Sequence, residues 1–533
     1  MLKNRHPGVS LGLFFAATLA VGQSGIGPIT TSVANANPRS GHPDSVIASG
    51  YSFKSVAIGT DPLENPSGMI TQFGYLNDFP PQLIEPTKTE ADENLYLVFR
   101  RNPGGPTAGY DYGRHFLFQF HESPTTNSYA TRINLDVTDP AHRITLLTPP
   151  GSDGFTHLSS GDGSTYDPFT RTLLFTQETG FPNGGVIQVS TSWPPVVTRL
   201  DGVFGSSGYE GIHPDDRGNV LAIEDAGGTS VNVVPTDPNS PKSARQPNSF
   251  VYRLVPYDKR DLLKGGKLQA LQVLINGQPV VFHASDPSGD VFSDNQLKLH
   301  TPGTSYPVHW VTVHDTAVDG TASFNANAAA KAAGATPFKR PENAQFLPGS
   351  GFRTFFFDPT GDTNSNSGNQ PDLAARGAWG SIFRVDLNGS RNAGKIAIFV
   401  LGDAEHSSFD NLTFADHKTL LAAEDRGDGL HRQLNTLDSV WTFFVDGSAP
   451  KRFIALGRDP ASEQDAAFLD ASTPGFQNEG DNEPTGLHVS TGSTSSEGLP
   501  GTLDNLEQPR AFLTRQHGQN EVWEIVKTRR GDD

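Results

Sequence analysis

Twice in this chain an acid at the head of a short strand-like run is followed, 14 or 15 positions on, by a Glu-Asp pair: Glu210 precedes Glu224-Asp225, and Asp410 precedes Glu424-Asp425. In a third segment of the same plan Ser164 stands 14 positions before Glu178. A fourth runs from Phe338 to Asp358 and carries Arg340-Pro-Glu342, and a fifth begins at Asn482-Glu-Pro-Thr-Gly-Leu-His488. Equal spacing at distant places predicts one hairpin used repeatedly. Each such hairpin leaves an apolar face open, so the copies must pack on one another, and radial closure into a β-propeller covers both faces and hides most strand edges. Runs such as Ser249–Val255, Gly380–Asp386 and Ser439–Val445 supply further strands. The expectation is therefore an all-β chain with little helix: one β-propeller of six blades, four strands each, with a seven-bladed propeller as the alternative.

The rest of the sequence is consistent with that plan. Its 56 glycines and 40 prolines are spread through 533 residues, and short apolar runs alternate with turn-forming clusters. Residues 226–246 and 459–508 are rich in Ser, Gly, Pro and Asp and are expected as insertions over one face. Residues 318–335 hold the one Ala-rich, helix-prone run.

The first residues set the compartment. Lys3 and Arg5 precede the apolar stretch Val9–Val21, the pattern of a secretory signal peptide, and Ala34-Asn35-Ala36 offers small residues for cleavage after position 36. The expected division is a leader over 1–36 and a propeller domain over 37–533, exported to the periplasm or beyond the cell. Thirteen mildly apolar residues are short for a membrane span of roughly 20, and no second stretch of spanning length follows. Removing 1–36 takes away two bases and no acid, so the net charge moves from −18 to −20. Such a surface repels nucleic acid and anionic membranes. With no cysteine in the sequence, disulfides and thiolate ligands are excluded, and a metal must be held by oxygen or imidazole.

The order Tyr209-Glu-Gly, Asn219–Asp225, Ser249–Pro256, Gly265–Leu271, Arg340-Pro-Glu342, Asp410-Asn-Leu412, Glu483-Pro-Thr-Gly486 and Arg515-Gln-His517 resembles the PhoX-type alkaline phosphatases. The likeness runs from about residue 157 to 527. Membership implies a six-bladed propeller and an extracytoplasmic phosphomonoesterase with iron and calcium at the central channel. It also implies active-site roles for Glu210, Arg340 and Glu342. The strand resembling Thr176–Thr179 carries an iron-binding cysteine in that family, where this chain has Gln177. An amide cannot replace a thiolate for ferric iron, so calcium is the expected ion.

Acids at equivalent repeat positions should converge on the propeller axis. Glu178, Glu210, Glu342, Asp410 and Glu483 are the expected metal ligands, because crowded carboxylates need a hard cation to remain ionised together. Strand-end turn contacts are the competing role for each. Arg340 supplies a guanidinium fork for phosphoryl oxygens, and Asn411 a donor beside it; these two are the expected catalytic residues. His213, His488 and His517 are expected as structural hydrogen-bonders. Asp362, Asn364 and Asn366 alternate as calcium-loop ligands do, but Ser367 and Leu373 stand where such a loop needs glycine and glutamate. The function expected is a metal-dependent phosphoester hydrolase acting as a monomer on small phosphorylated substrates. A single-calcium, lactonase-type hydrolase and a non-catalytic secreted propeller that binds a partner are the alternatives.

Overall fold

The computed structural model describes residues 25–35, 44–65, 68, 70–74, 89–123, 126–457, 483–516 and 520–528. Antiparallel strands dominate, and their sheets stand around a common axis as a β-propeller. The innermost strands are Leu95–Val98, Gly161–Asp167, Tyr209–Pro214, Pro341–Phe346, Phe409–Asp416 and Pro484–Ser490. Each touches the next in that order, and the last returns to Leu95–Val98, which closes the ring.

Chain order builds each sheet outward. Gly161–Asp167 pairs with Thr172–Gln177, which pairs with Gly185–Ser190 and then Val197–Arg199. Two neighbouring sheets are joined through Tyr306–Asp315, which pairs with Gly266–Ile275 on one side and Ala393–Leu401 on the other. The sheet built from Pro484–Ser490, Arg510–Arg515 and Glu521–Lys527 takes its fourth strand from the opposite end of the sequence, Tyr51–Ala57. That exchange ties the two ends of the chain together.

Five of the six innermost strands share one irregularity. Their register against the second strand shifts between Gly161 and Ser164, Tyr209 and Ile212, Pro341 and Ala344, Phe409 and Leu412, and Thr485 and His488. A bulge re-aims the side chains it contains. In four of the five the bulge holds, or directly follows, an acid: Asp162, Glu210, Glu342 and Asp410. The core lies between sheets: Leu174, Ile212, Tyr252 and Leu268 form one such layer, and Leu421, Val440, Leu487 and Trp523 another.

Two expectations about insertions change. Residues 484–490 lie at the axis as an innermost strand rather than in an insertion, while 459–482 fall outside the described residues. Residues 226–246 do form an added piece, but with structure of its own, a two-stranded ribbon of Ser230–Asn232 and Lys242–Arg245. The Ala-rich run gives the helix Ala326–Ala332, started by the Asn325 side chain accepting from the Ala328 amide.

Of the expected leader, residues 1–24 and 36 are outside the described set, but 25–35 run along the last sheets. Ile26 and Ile29 are buried in the layer of Ala415 and Leu506, the Ile26 amide donates to Ala415, and Val33 donates to Arg452.

Candidate functional site

The second strand of each hairpin delivers two consecutive side chains at its end, and alternation sends them opposite ways. Pairing sets Tyr209 opposite Glu224, Phe409 opposite Glu424 and Gly161 opposite Gln177. Glu224, Glu424 and Gln177 are therefore equivalent, and so are the residues after them, Asp225, Asp425 and Glu178. The sequence alignment anchored on Ser164 was out of step with the bulge and matched Glu178 to the wrong member of each pair.

The first member of each pair turns away from the axis. The Gln177 amide donates to the Ser159 carbonyl (3.0 Å) and its oxygen accepts from Arg199 (2.7 Å). Glu224 accepts from Ser207, from the Phe250 amide (3.0 Å) and from Tyr252 (3.1 Å), and burial pushes its carboxyl up to about 7. Glu424 accepts from the Ser407 amide (3.0 Å) and pairs with Arg426 (2.7 Å). Gln177 thus fills a latch position, and the expectation that it replaces a ligand is corrected: its side chain does not reach the axial cluster.

The second member turns inward. Carboxylate oxygens of Glu178, Glu210 and Asp225 lie within 4.8 Å of one another, and so do those of Glu178, Glu122 and Asp162, so Glu178 is shared by two triplets. Glu210 is hydrogen-bonded to Glu342, and Asp410 to Glu483. Asp92 faces Asp410 and accepts from Thr485. All five expected ligands therefore lie in one axial group. Desolvation first, and neighbouring carboxylates second, push Asp92, Glu122, Asp162 and Glu210 well above the usual carboxylate range.

Arg340 is the cation of this group. Its Nε donates to Asp225 (2.8 Å), one Nη lies 3.4 Å from Glu342, and the other donates to Thr363 (3.2 Å). The residue holds a left-handed backbone, φ 51°, as does Ser408 at the same position before Asp410. Such a conformation costs a non-glycine residue of order 1 kcal/mol and marks sites where direction matters. Asn411 is buried: its amide donates to Asp410 (2.9 Å) and its oxygen accepts from the Leu487 amide (3.2 Å) on the next sheet. It holds Asp410 in place, and this contact set differs from the substrate donor expected of it.

Residues missed from sequence are Asp92, Glu122, Asp162 and Asp225. Asp162 and Asp225 had a readable signal, since Gly161-Asp162-Gly163 matches Tyr209-Glu210-Gly211 in register and Asp225 is the second acid of its pair. Asp92 and Glu122 come from a sheet whose hairpin lacks the repeat spacing. His213, buried, bonds Asn343 (2.9 Å) and His488, half-buried, bonds Ser490 (2.7 Å), and desolvation pushes both well below the usual imidazole value. His517 lies outside the described residues. Asp362 is buried against Lys339 (3.0 Å), so the alternating Asp362-Asn364-Asn366 stretch is not an open calcium loop.

The donor set suits a hard cation. It is all oxygen, and one buried carboxylate atom within it, Asp225 Oδ1, has no hydrogen-bond partner. Multivalent oxygen coordination satisfies such atoms and removes the mutual repulsion.

Residues 237–490 match the family model described as alkaline phosphatase PhoX. No curated protein sequence matches the chain. Among solved structures, Pseudomonas fluorescens PhoX in complex with vanadate, a transition state analogue, aligns at a TM-score of 0.53 and 11% identity over 93% of this chain and 97% of that one. That likeness shows a shared fold. The calcium structure of Trichoderma reesei Carbohydrate-Active Enzymes Family AA12 aligns over 91% of this chain and 98% of that one at 10% identity, but a TM-score of 0.29 carries no argument.

Proposed function

With the PhoX alkaline phosphatase match over residues 237–490 as the premise, we propose that the axial carboxylate group with Arg340 is a calcium-dependent site that hydrolyses small phosphomonoesters. The family match supports a phosphoester hydrolase; the choice of ion and substrate is our reading. One observation carries it: a half-buried guanidinium stands among converging carboxylates from several sheets. Carboxylates alone would repel a phosphate. A divalent cation in such a centre supplies the positive charge that offsets them and polarises a phosphoryl oxygen.

The chain's own residues then divide the work. Glu178, Glu210, Glu342, Asp410 and Glu483, with Glu122, Asp162 and Asp225, would hold the ions. Asp225 and Glu342 orient Arg340, whose planar fork fits two phosphoryl oxygens and stabilises the charge that develops on them in the transition state. Asn411 keeps Asp410 at its angle. The earlier ground against iron falls with Gln177, but an all-oxygen donor set remains suited to calcium.

Export belongs to the same proposal. Because residues 25–35 pack on the propeller, we place the end of the leader before Gly25, where Ala20-Val21-Gly22 also presents small residues at the required spacing. N-terminal sequencing of the exported chain decides between a start near residue 23 and one at 37.

The main test is metal analysis of the purified chain with hydrolysis of p-nitrophenyl phosphate. Chelator should abolish turnover and calcium restore it. Turnover that needs iron and ignores calcium would reject the ion; a metal-free chain without turnover would favour the partner-binding alternative.

A further inference from the structure

Arg245 ends the added ribbon at Lys242–Arg245, and its side chain is half-buried. Two contacts fix it beside Arg340. Its backbone amide donates to Asp362 (2.9 Å), the residue before Thr363, to which Arg340 donates. On the other side, a Cβ added at Gly227 would lie 3.6 Å from Nη1 of Arg245, two residues beyond Asp225, which binds Arg340 Nε. The two guanidiniums therefore flank the same pair of backbone segments.

Their partners differ. Arg340 is held by Asp225 and Glu342. Arg245 has no ion pair within 4.0 Å among the described residues, because the Asp362 carboxylate next to it is already taken by Lys339. Burial, and after it the charge of Arg340, lower Arg245 below its ordinary value, against the weaker opposing pull of Asp225, Asp362 and Glu342. Those acids pair directly with Arg340 and Lys339, so a half-buried cation beside a second cation still gains from an anion that arrives between or beside them.

Resting on the phosphoester reading above, the geometry points to Arg245 as the cation of an outer anion subsite, which selects phosphoesters carrying a second anionic group such as another phosphate. Arg340 lies deeper and meets the phosphoryl group that is cleaved. Arg245, carried on the ribbon, meets the second charge on the leaving group. A fork pairs bidentately with phosphate, and a charge-assisted contact of this kind is worth about 1.5–3 kcal/mol, or roughly 10- to 100-fold in binding.

The test uses the full-length, metal-loaded chain and compares binding of methylenediphosphonate with that of methylphosphonate by calorimetry. Wild type should prefer the diphosphonate, and Arg245→Ala should reduce that preference by about tenfold or more. Arg245→Lys, which keeps charge but not the fork, should fall between them. An unchanged preference in both variants overturns the proposal. Equal weakening of the two ligands also overturns it, because Arg245 would then serve the cleaved phosphoryl group alone. Arg245→Gln, checked by its melting curve, replaces Arg245→Ala if that variant does not fold. Because binding is read without turnover, a wild type that prefers the diphosphonate yet hydrolyses no phosphoester refutes the enzymatic reading and leaves the subsite standing.

Discussion

The hairpins 209–225 and 409–425 have the same plan, yet they settle the same buried carboxylate in different ways. Glu224 is surrounded by neutral donors, from Ser207, Phe250, Tyr252 and Asn327, and burial raises its carboxyl to about 7. Glu424, at the same place, is met by the buried Arg426, which also donates to Ser407, Thr436 and the Glu405 carbonyl. At the equivalent position of a third hairpin an uncharged Gln177 does the same work. The position therefore requires a hydrogen-bonding latch, not a charge, whereas its neighbour at 178, 225 and 425 is an acid in all three cases.

Arg426 and Arg340 test that division most directly, as counter-cations of the outward and the inward acids. Arg426→Ala leaves Glu424 buried and unpaired, a change that costs about 3–5 kcal/mol. Urea denaturation should register it as a large loss of stability. A loss below about 1 kcal/mol would show that the ionic latch is no stronger than the neutral one.

Arg340→Ala should instead act on rate. Losing one preorganised donor lowers turnover of a simple phosphomonoester by a factor of about 10² or more, with the fold kept. If turnover is unimpaired, Arg340 is a strand-end ion-pair partner and the inward acids serve something other than phosphoryl transfer.

The adjacent pair Gln177 and Glu178 gives a finer comparison within one strand. Glu178→Gln removes the carboxylate shared by both triplets and should lower metal content and reduce the rate by about tenfold or more. Gln177→Glu buries a carboxylate beside Arg199 but gives up the amide's bond to the Ser159 carbonyl, and should cost about 1–3 kcal/mol of stability, with metal content as in wild type. Metal loss in Gln177→Glu, with none in Glu178→Gln, would reverse the assignment of inward and outward faces.

Glu210, Glu342 and Asp410 were legible in the sequence because each stands at the head of a repeated hairpin, and repeats in a closed ring must point equivalent residues at one place. Asp162 escaped because its hairpin is one residue longer: Gly161 to Gln177 spans 16 positions where Tyr209 to Glu224 and Phe409 to Glu424 span 15, so an equal-spacing match put Ser164 where Asp162 belongs. The same extra residue exchanged the roles of Gln177 and Glu178, since one step along a strand changes the face. Asp92 and Glu122 gave no signal, as their contribution depends on a sheet whose first strands are separated by the long connection 99–114. Asn411 was recognisable as a residue of the site, but its direction depends on Leu487, more than seventy positions away.

The smallest effect expected is a dependence on pH confined to the ionic hairpin. His431 is buried 2.9 Å from Asp438, whose carboxylate also receives the Arg426 amide. Burial alone would lower the imidazole; Asp438, helped by Asp425 and opposed by Arg426, outweighs it and holds His431 above its ordinary value. A base whose folded value is raised gives stability that is fully present below its unfolded value, about 6.5, and is lost as pH rises through the folded one. The loss cannot exceed about 1.4 kcal/mol per pH unit for a single proton. Replacing His431 with Gln removes this titration but leaves Glu224 and the rest of the chain to titrate as before. Urea midpoints measured from pH 6 to 9 should therefore converge, wild type losing its advantage over His431→Gln as the pH rises. Parallel profiles would mean that His431 is neutral throughout, and that the hairpin of Glu424 differs from that of Glu224 by the Arg426 pair alone.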